Sequence, residues 1–198
     1  MSTILTDPSQ PTPILSVRGL TKTFVLHAVD GRSVVGLAGV DLDLPIAQHV
    51  CLAGLSGAGK SSLLKCVHRT YVADSGSVQY LRADGMQVNL LELSDSDMAD
   101  LREREIGYVS QFLRAEPRRG VLDVVIRSAT RLGMGLHEAE DRAVQVLRRV
   151  NIDEDLWATF PTLLSGGEKQ RVNLAVGIVV PPRLLLLDEP VSARDPAN

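Results

Sequence analysis

Residues 54–62 have the sequence G-L-S-G-A-G-K-S-S, and this stretch decides how the rest of the chain is interpreted. It matches the phosphate-loop pattern G-x-x-x-x-G-K-[ST], with Gly54, Gly59, Lys60 and Ser61 at the required positions. Glycines let the backbone turn tightly around an anion, and amides at the following helix N-terminus point toward it. In such loops the lysine reaches the terminal phosphates and the serine hydroxyl ligates Mg²⁺. The stretch therefore predicts a nucleoside triphosphate site.

The residues on either side of this loop agree with that interpretation. The apolar run at 49–53 (H-V-C-L-A) predicts a buried strand before the loop, and residues 63–67 predict a helix after it. A flexible glycine turn with an unrelated lysine is the alternative. Cys51 and Cys66 lie in these flanking segments, and we expect both to be buried free thiols in a reducing compartment.

The composition excludes several classes of protein. The chain has 198 residues, of which 44% are hydrophobic, enough for a substantial core. Its net charge of −3 argues against a nucleic-acid-binding surface. No apolar run approaches the ~18 residues of a membrane span. Residues 1–13 are rich in Ser, Thr and Pro, which predicts a disordered tail and not a signal peptide. We expect a cytoplasmic protein.

The first half of the chain is predicted to be rich in strands. Residues 14–17 and 19–26 indicate two strands about a turn, and alternation at 40–44 indicates another. An edge-type strand at 77–81 is expected to pair with 86–90 around Asp84-Gly85.

The second half is predicted to be mainly helical. Ser94 is the expected N-cap of a helix at 94–104, and a core strand follows at 106–109. Helical patterns at 121–132 and 137–150, with a shorter piece at 153–160, predict a separate helical lobe. Another helix is expected at 166–180. The run Leu184–Leu187 predicts a strand buried on both faces.

Two further motifs carry chemistry. Ser165-Gly166-Gly167 begins a predicted helix and forms a candidate second anion site, although a simple N-cap by Ser165 is the alternative. Asp188 and Glu189 directly follow the strand at Leu184–Leu187. Carboxylates at a strand end near a phosphate loop serve Mg²⁺ and orient a water, whereas an acidic helix cap is the alternative.

Taken together, these motifs resemble the ATP-binding cassette (ABC) ATPases. The phosphate loop is followed in order by a glutamine loop at Gln111, the signature L-S-G-G-E at 164–168, the carboxylates, and a D-loop at 192–195. The resemblance implies an α/β fold, a P-loop NTPase of ABC type. Its mixed-sheet core carries an antiparallel β subdomain and an inserted helical lobe at about 112–163. It implies a single domain at 14–198 that lacks the C-terminal part usual in the family.

The resemblance also implies cofactors, ATP and Mg²⁺, and a role for each motif residue. Glu189 would polarise the attacking water, Gln111 would sense the γ-phosphate, and Phe24 would stack on adenine, although a lone strand Phe is usually core. The Mg²⁺ ligands would be Ser61, Gln111 and Asp188. The residues expected to contact ATP are Phe24, Gly54, Leu55, Ser56, Gly57, Ala58, Gly59, Lys60, Ser61 and Ser62.

A head-to-tail dimer, with a second copy or a related cassette protein, is a further implication. In it the signature residues of one subunit contact the ATP of the other, and Asp195 belongs to the D-loop between them. The signature residues are Ser165, Gly166, Gly167 and Glu168.

Segments outside the shared motifs resemble the L subunits of phosphonate carbon–phosphorus lyase systems. They lie at 22–27, 109–118, 156–157 and 171–175. This resemblance implies soluble lyase subunits as partners and a part in forming ribose 1-methylphosphonate 5-triphosphate from ATP. The basic residues Arg114, Arg118 and Arg119 are expected to meet partner carboxylates, although a solvated basic loop is the alternative.

The sequence departs from the family pattern in three places. Arg194 replaces the usual D-loop leucine, Lys169 replaces the usual glutamine, and no histidine follows Glu189 to act as the switch residue. Two other functions therefore stay open. One is the ATPase of a membrane exporter, such as a lipoprotein-release system. The other is a nucleotide-dependent assembly module with little turnover.

Overall fold

The computed structural model describes residues 12–26, 32–110, 113 and 118–189. The chain forms two compact units, Met1–Ala99 and Asp100–Asn198. The lobe expected at about 112–163 falls within the second unit, and its standing as a subdomain of one cassette domain remains a prediction.

The first unit contains the elements β1 (Pro13–Leu26), β2 (Arg32–Pro45), α1 (Lys60–Val67), β3 (Ser75–Leu81) and β4 (Gln87–Asn89). The four strands form an antiparallel sheet with the order β2-β1-β3-β4. Helix α1 follows the phosphate loop and lies between β2 and β3 in the chain.

Strand β1 is continuous, so the prediction of two strands about a turn was wrong. Its pairing with β2 shifts register between Val17 and Leu20, where Gly19 has φ 55°. The Gly19 N–H donates to the Asp41 carboxylate at 2.6 Å. A glycine bulge of this kind absorbs the extra residue and lets the strand continue.

Strand β3 lies inside the sheet and not at its edge, contrary to the prediction. Val78 pairs with β1 and Tyr80 pairs with Val88 of β4, and both side chains are fully buried. The hairpin around Asp84-Gly85 is confirmed, because the Gly85 N–H donates to the Arg82 carbonyl at 3.1 Å.

The predicted strand at 49–53 is absent, because residues 48–55 have no regular secondary structure. Val50 is 43% exposed, and Cys51 is exposed, so the prediction of a buried Cys51 was also wrong. An apolar run becomes a strand only where a neighbour satisfies its backbone groups, and no described strand pairs with this one. Cys66 is buried as predicted, and burial raises the pKa of its thiol.

The elements of the second half match the predicted positions within two residues, with one exception. They are α2 (Asp95–Arg104, capped by Ser94), β5 (Ile106–Val109), α3 (Val121–Arg131), α4 (Leu136–Arg149), α5 (Gly166–Ile178) and β6 (Leu184–Leu187). The exception is the segment at 153–160, which contains only the single 3-10 turn Glu154–Leu156. Phe160 is extended because Pro161 disfavours the helical conformation of the residue before it. No helix among the described residues has the length and apolar character that a bilayer crossing requires.

Helices α3, α4 and α5 share one apolar core. Alanines at the contacts, including Ala129, Ala143 and Ala175, are fully buried, and small side chains let helices approach closely. The segment after α4 is tied to α3, since the N–H groups of Val121 and Leu122 donate to Thr159 and Trp157 carbonyls, each at 3.0 Å. This packing fixes the segment that leads into α5.

Strands β5 and β6 form a two-stranded parallel sheet, with Ile106 opposite Leu184 and Val109 opposite Leu187. The strand predicted at Leu184–Leu187 is confirmed, but its burial on both faces is not, because Leu187 is 38% exposed. The Asp188 N–H extends the ladder to the Val109 carbonyl at 2.9 Å. The ends of both strands are therefore held together.

Candidate nucleotide site

The phosphate loop is an exposed turn whose glycines have left-handed backbones. Gly57 has φ 81° and Gly59 has φ 87°, conformations that residues with a Cβ disfavour. The Ala58 N–H closes the turn on the Leu55 carbonyl at 3.2 Å, and the Leu55 side chain is 86% exposed. The loop is thus a tight turn, and its wrapping around an anion stays a prediction.

The two left-handed glycines serve different purposes. A Cβ at Gly59 would overlap the carbonyl oxygen of Gly36 in β2, so this glycine lets the loop lie directly against the strand. A Cβ at Gly57 would meet no atom within 4 Å. Gly57 therefore faces open space, on the side where a ligand has room.

Lys60 is folded back over the loop. Its Nζ donates to the carbonyls of Gly54 and Leu55 at 2.8 and 2.9 Å. An ammonium has three donors, so the lysine braces the loop and still has one N–H for an anion. The positive charge is thereby held at the mouth of the turn.

Helix α1 starts in a way that favours an anion. Gly59, its N-cap, supplies no side-chain hydrogen bond, and the first turn contains no acidic residue. Ser61 and Ser62 lie in that first turn. A helix N-terminus carries positive partial charge, so the donors present here suit a phosphate chain.

Phe24 is part of a small cluster that the sequence did not predict. Its ring meets Tyr71 edge-on, with centroids 5.2 Å apart, and the Lys22 Nζ lies 5.6 Å from its centroid. A Cβ at Gly36 would overlap the same ring. The Phe24 ring is partly buried, as expected if part of it packs in the core. Stacking of the ring on adenine stays a prediction.

Asp74 holds the strand that carries Phe24. Its carboxylate accepts from the Lys22 Nζ at 3.0 Å and from the Thr23 N–H at 2.6 Å. The Lys22 hydrogen bond, followed by the Thr23 N–H, lowers the pKa of the Asp74 carboxyl. Asp74 directly precedes β3, and its contacts with Lys22 and Thr23, more than 50 residues earlier in the chain, were not predicted.

The N-terminus of α5 carries a capping box formed by Ser165 and Glu168. The Ser165 Oγ accepts from the Glu168 N–H at 3.3 Å, and the Glu168 carboxylate accepts from the Ser165 N–H at 2.7 Å. The pKa of the Glu168 carboxyl is lowered, first by a side-chain hydrogen bond with Ser165 and second by that backbone N–H. The N-cap alternative is therefore present in the structure. The second anion site stays a prediction, and Gly166 leaves open space for it.

The strand-end carboxylates differ sharply in environment. Asp188 is 5% exposed, and its Oδ2 accepts from the Tyr108 hydroxyl at 2.7 Å. Glu189 is exposed and has φ 52°, which is unusual for a non-glycine residue and typical of functional sites. Tyr108 was not singled out as a functional residue by its sequence pattern.

The candidate Mg²⁺ ligands fit that ion chemically. Within the described ranges no group of three or more His, Cys, Asp or Glu residues is placed to hold a metal. Mg²⁺ is usually bound by one or two protein ligands together with substrate phosphates. A serine hydroxyl and an aspartate carboxylate each belong to the ligand types it accepts, and a shared site formed by Ser61 and Asp188 stays a prediction. Gln111 and Asp195, predicted as a Mg²⁺ ligand and a D-loop residue, lie outside the described residues.

The different surroundings of the two glycines predict unequal effects of one methyl group. Gly57→Ala should lose about 1–2 kcal/mol of stability through its left-handed backbone. Gly59→Ala should lose more, because its Cβ also overlaps the Gly36 carbonyl. Urea unfolding of both variants beside the parent chain measures the difference. Equal losses would show that the loop does not rest on β2 as described.

Comparison with known proteins identifies the family of the chain. The family model described as "ABC transporter" matches residues 37–192. The trimethylamine N-oxide transport system ATP-binding protein TmoW of Ruegeria pomeroyi is 34% identical, over 93% of this chain and 57% of that protein. The lipoprotein-releasing system ATP-binding protein LolD of Ruegeria sp. is 36% identical, over 93% of this chain and 78% of that protein.

A solved structure of an ATP-binding cassette has a similar fold. The dimeric ATP-binding cassette MJ0796, bound to ADP and Pi, has a TM-score of 0.77 and 26% identity, over 92% of this chain and 76% of that chain. The chain spans little more than half the length of the TmoW protein. The present chain therefore belongs to the ABC transporter ATPase family and has the P-loop NTPase fold of an ATP-binding cassette.

Proposed function

We propose that this chain binds ATP with Mg²⁺ and hydrolyses it as the cassette subunit of a larger assembly. The phosphate loop carries the proposal. Lys60 is poised over left-handed glycines at the start of a helix without a capping side chain. These donors favour a chain of phosphates over a single weakly charged ligand.

Each candidate residue has a distinct task in this proposal. Lys60 and the loop amides hold the phosphates, and Ser61 and Asp188 hold Mg²⁺, which neutralises phosphate charge when bound. Glu189 orients the attacking water, since it is exposed and directly follows the buried Asp188. Gln111 reports on the γ-phosphate, and Phe24 contacts adenine.

We further propose a head-to-tail dimer with a second copy or a related cassette. The capped N-terminus of α5, with open space at Gly166, then contacts the partner's nucleotide. The dimeric state of the MJ0796 cassette supports this arrangement by analogy.

Lys60→Ala should weaken ATP–Mg²⁺ binding at least tenfold, because a charge-assisted contact of this kind is worth roughly 1.5–3 kcal/mol. Lys65→Ala is the matched control, since Lys65 lies in the last turn of the same helix. Titration calorimetry measures both affinities. An unchanged affinity in Lys60→Ala, or equal losses in the two variants, would refute the assignment of the loop.

Glu189→Gln should keep ATP affinity and lose hydrolysis, because the amide preserves shape but no longer polarises water. Phosphate release and nucleotide affinity are measured on the same preparation. Hydrolysis at the parent rate would mean that another residue activates the water. If the parent chain itself binds ATP without measurable turnover, the assembly-module alternative gains support.

For the assembly we propose a cytoplasmic phosphonate carbon–phosphorus lyase, in which the chain partners soluble lyase subunits. The support is the sequence resemblance at 22–27, 109–118, 156–157 and 171–175. A membrane transport system is the second candidate, and it is favoured by the names of the relatives, which are a transport and a lipoprotein-releasing protein.

The basic residues before α3 bear on this choice of partner. Arg119 donates to the Asp123 carboxylate at 2.9 Å, one helical turn away, so its charge is already paired within the chain. Arg118 is exposed, has φ 63°, and forms no ion pair with any described residue. Arg118 is thus the better candidate for a partner carboxylate, and Arg114 lies outside the described residues.

Arg118→Glu should reduce recovery of soluble lyase subunits in a pull-down without changing ATP affinity, because a rim charge mainly sets association rate and salt dependence. Arg149→Glu makes the same charge change on an exposed residue of α4 and serves as control. Cytosolic and membrane fractions are tested separately. Recovery mainly with a membrane permease would favour the transport candidate.

A further inference from the structure

The buried carboxylate of Asp188 is oriented from a neighbouring strand. The Asp188 N–H donates to the Val109 carbonyl, and this bond fixes the Asp188 backbone at the end of the β5–β6 ladder. Asp188 is buried, with an exposure of 5%. Burial of an ionised carboxylate is costly unless hydrogen bonds compensate it.

Tyr108 supplies such a hydrogen bond because of the strand register. Tyr108 of β5 pairs with Leu186 of β6, two residues before Asp188. Side chains two residues apart share one face of a sheet, so the phenol and the carboxylate lie on the same side. The hydroxyl then reaches the Asp188 Oδ2 at 2.7 Å, the length of a hydrogen bond to a charged acceptor.

The chemistry of this donor suits a carboxylate that binds a cation. A phenol donates a proton but carries no charge, so it orients the carboxylate without neutralising it as a lysine or arginine would. The Tyr108 hydroxyl occupies one lone pair of Oδ2 and leaves the negative charge of the carboxylate in place. Partners of this kind, one step behind a metal ligand, fix its rotamer and tune its affinity.

We propose that Tyr108 is a positioning residue for Mg²⁺ binding, acting through Asp188. The proposal rests on the function proposed above, in which Asp188 is a Mg²⁺ ligand. In the sequence, Tyr108 lies three residues before Gln111. The Asn173 side chain of α5 donates to the Ser110 carbonyl and so fixes the same strand end.

Tyr108→Phe tests this directly, because it removes the hydroxyl and keeps the ring. The full chain, in excess over ADP, is titrated with Mn²⁺ as a probe for Mg²⁺, and free Mn²⁺ is read by electron paramagnetic resonance. We expect Mn²⁺ affinity to fall about tenfold, the lower end of the range for such partners. ADP affinity in EDTA should stay within about twofold of the parent, since Tyr108 acts only through the metal ligand.

Two further variants separate the possible failures. Tyr80→Phe removes a hydroxyl from a fully buried tyrosine of β3 and should leave Mn²⁺ affinity unchanged. Asp188→Asn should lose most of the Mn²⁺ affinity of the parent chain.

Parent-like Mn²⁺ affinity in Tyr108→Phe, with a loss in Asp188→Asn, would overturn the role of Tyr108 alone. Parent-like affinity in Asp188→Asn would overturn both this inference and the proposed Mg²⁺ site. A matching loss of ADP affinity in EDTA would show general damage and also overturn the inference.

Discussion

The approach of Gly59 to the carbonyl of Gly36 is the contact on which the candidate phosphate site depends. Because Gly59 has no Cβ, the loop lies directly on the Gly36 carbonyl of β2, and α1 begins there without a capping side chain. Lys60 then closes the loop by donating to two of its carbonyls. An anion entering the turn therefore meets donors already in place and need not order them, which lowers the cost of binding.

In the second unit, a helical core and a parallel strand pair hold the candidate functional residues in place. Helices α3, α4 and α5 bury a shared core, and this core fixes the segment that leads to Ser165. The parallel pair β5–β6 fixes Asp188 and leaves Glu189 exposed. Buried apolar packing thus supplies the rigidity, while the polar groups with proposed chemical roles lie at the ends of the helices and strands.

Much of this was predictable from local patterns, whereas the failures among the strands depend on contacts with residues far away in the chain. The helices α3 and α4 followed from apolar periodicity, and the spacing of Ser165 and Glu168 matches the capping box that the structure contains. The strand predicted at 49–53 failed because strands need partners that a local pattern does not reveal. The Tyr108–Asp188 hydrogen bond joins residues 80 apart and depends on strand register, so no local sequence pattern indicates it. Arg119 was predicted to meet a partner carboxylate, whereas in the structure it pairs with Asp123, four residues later in the chain.

The central claim is that residues 54–62 form a preorganised nucleotide site. Backbone hydrogen exchange of the chain, with and without ADP and Mg²⁺, tests it most directly, because bound phosphates protect the amides they contact. The account predicts slowed exchange concentrated in the loop and the first turn of α1, with little change at the hairpin around Gly85. Unchanged exchange in the loop at saturating nucleotide would contradict it.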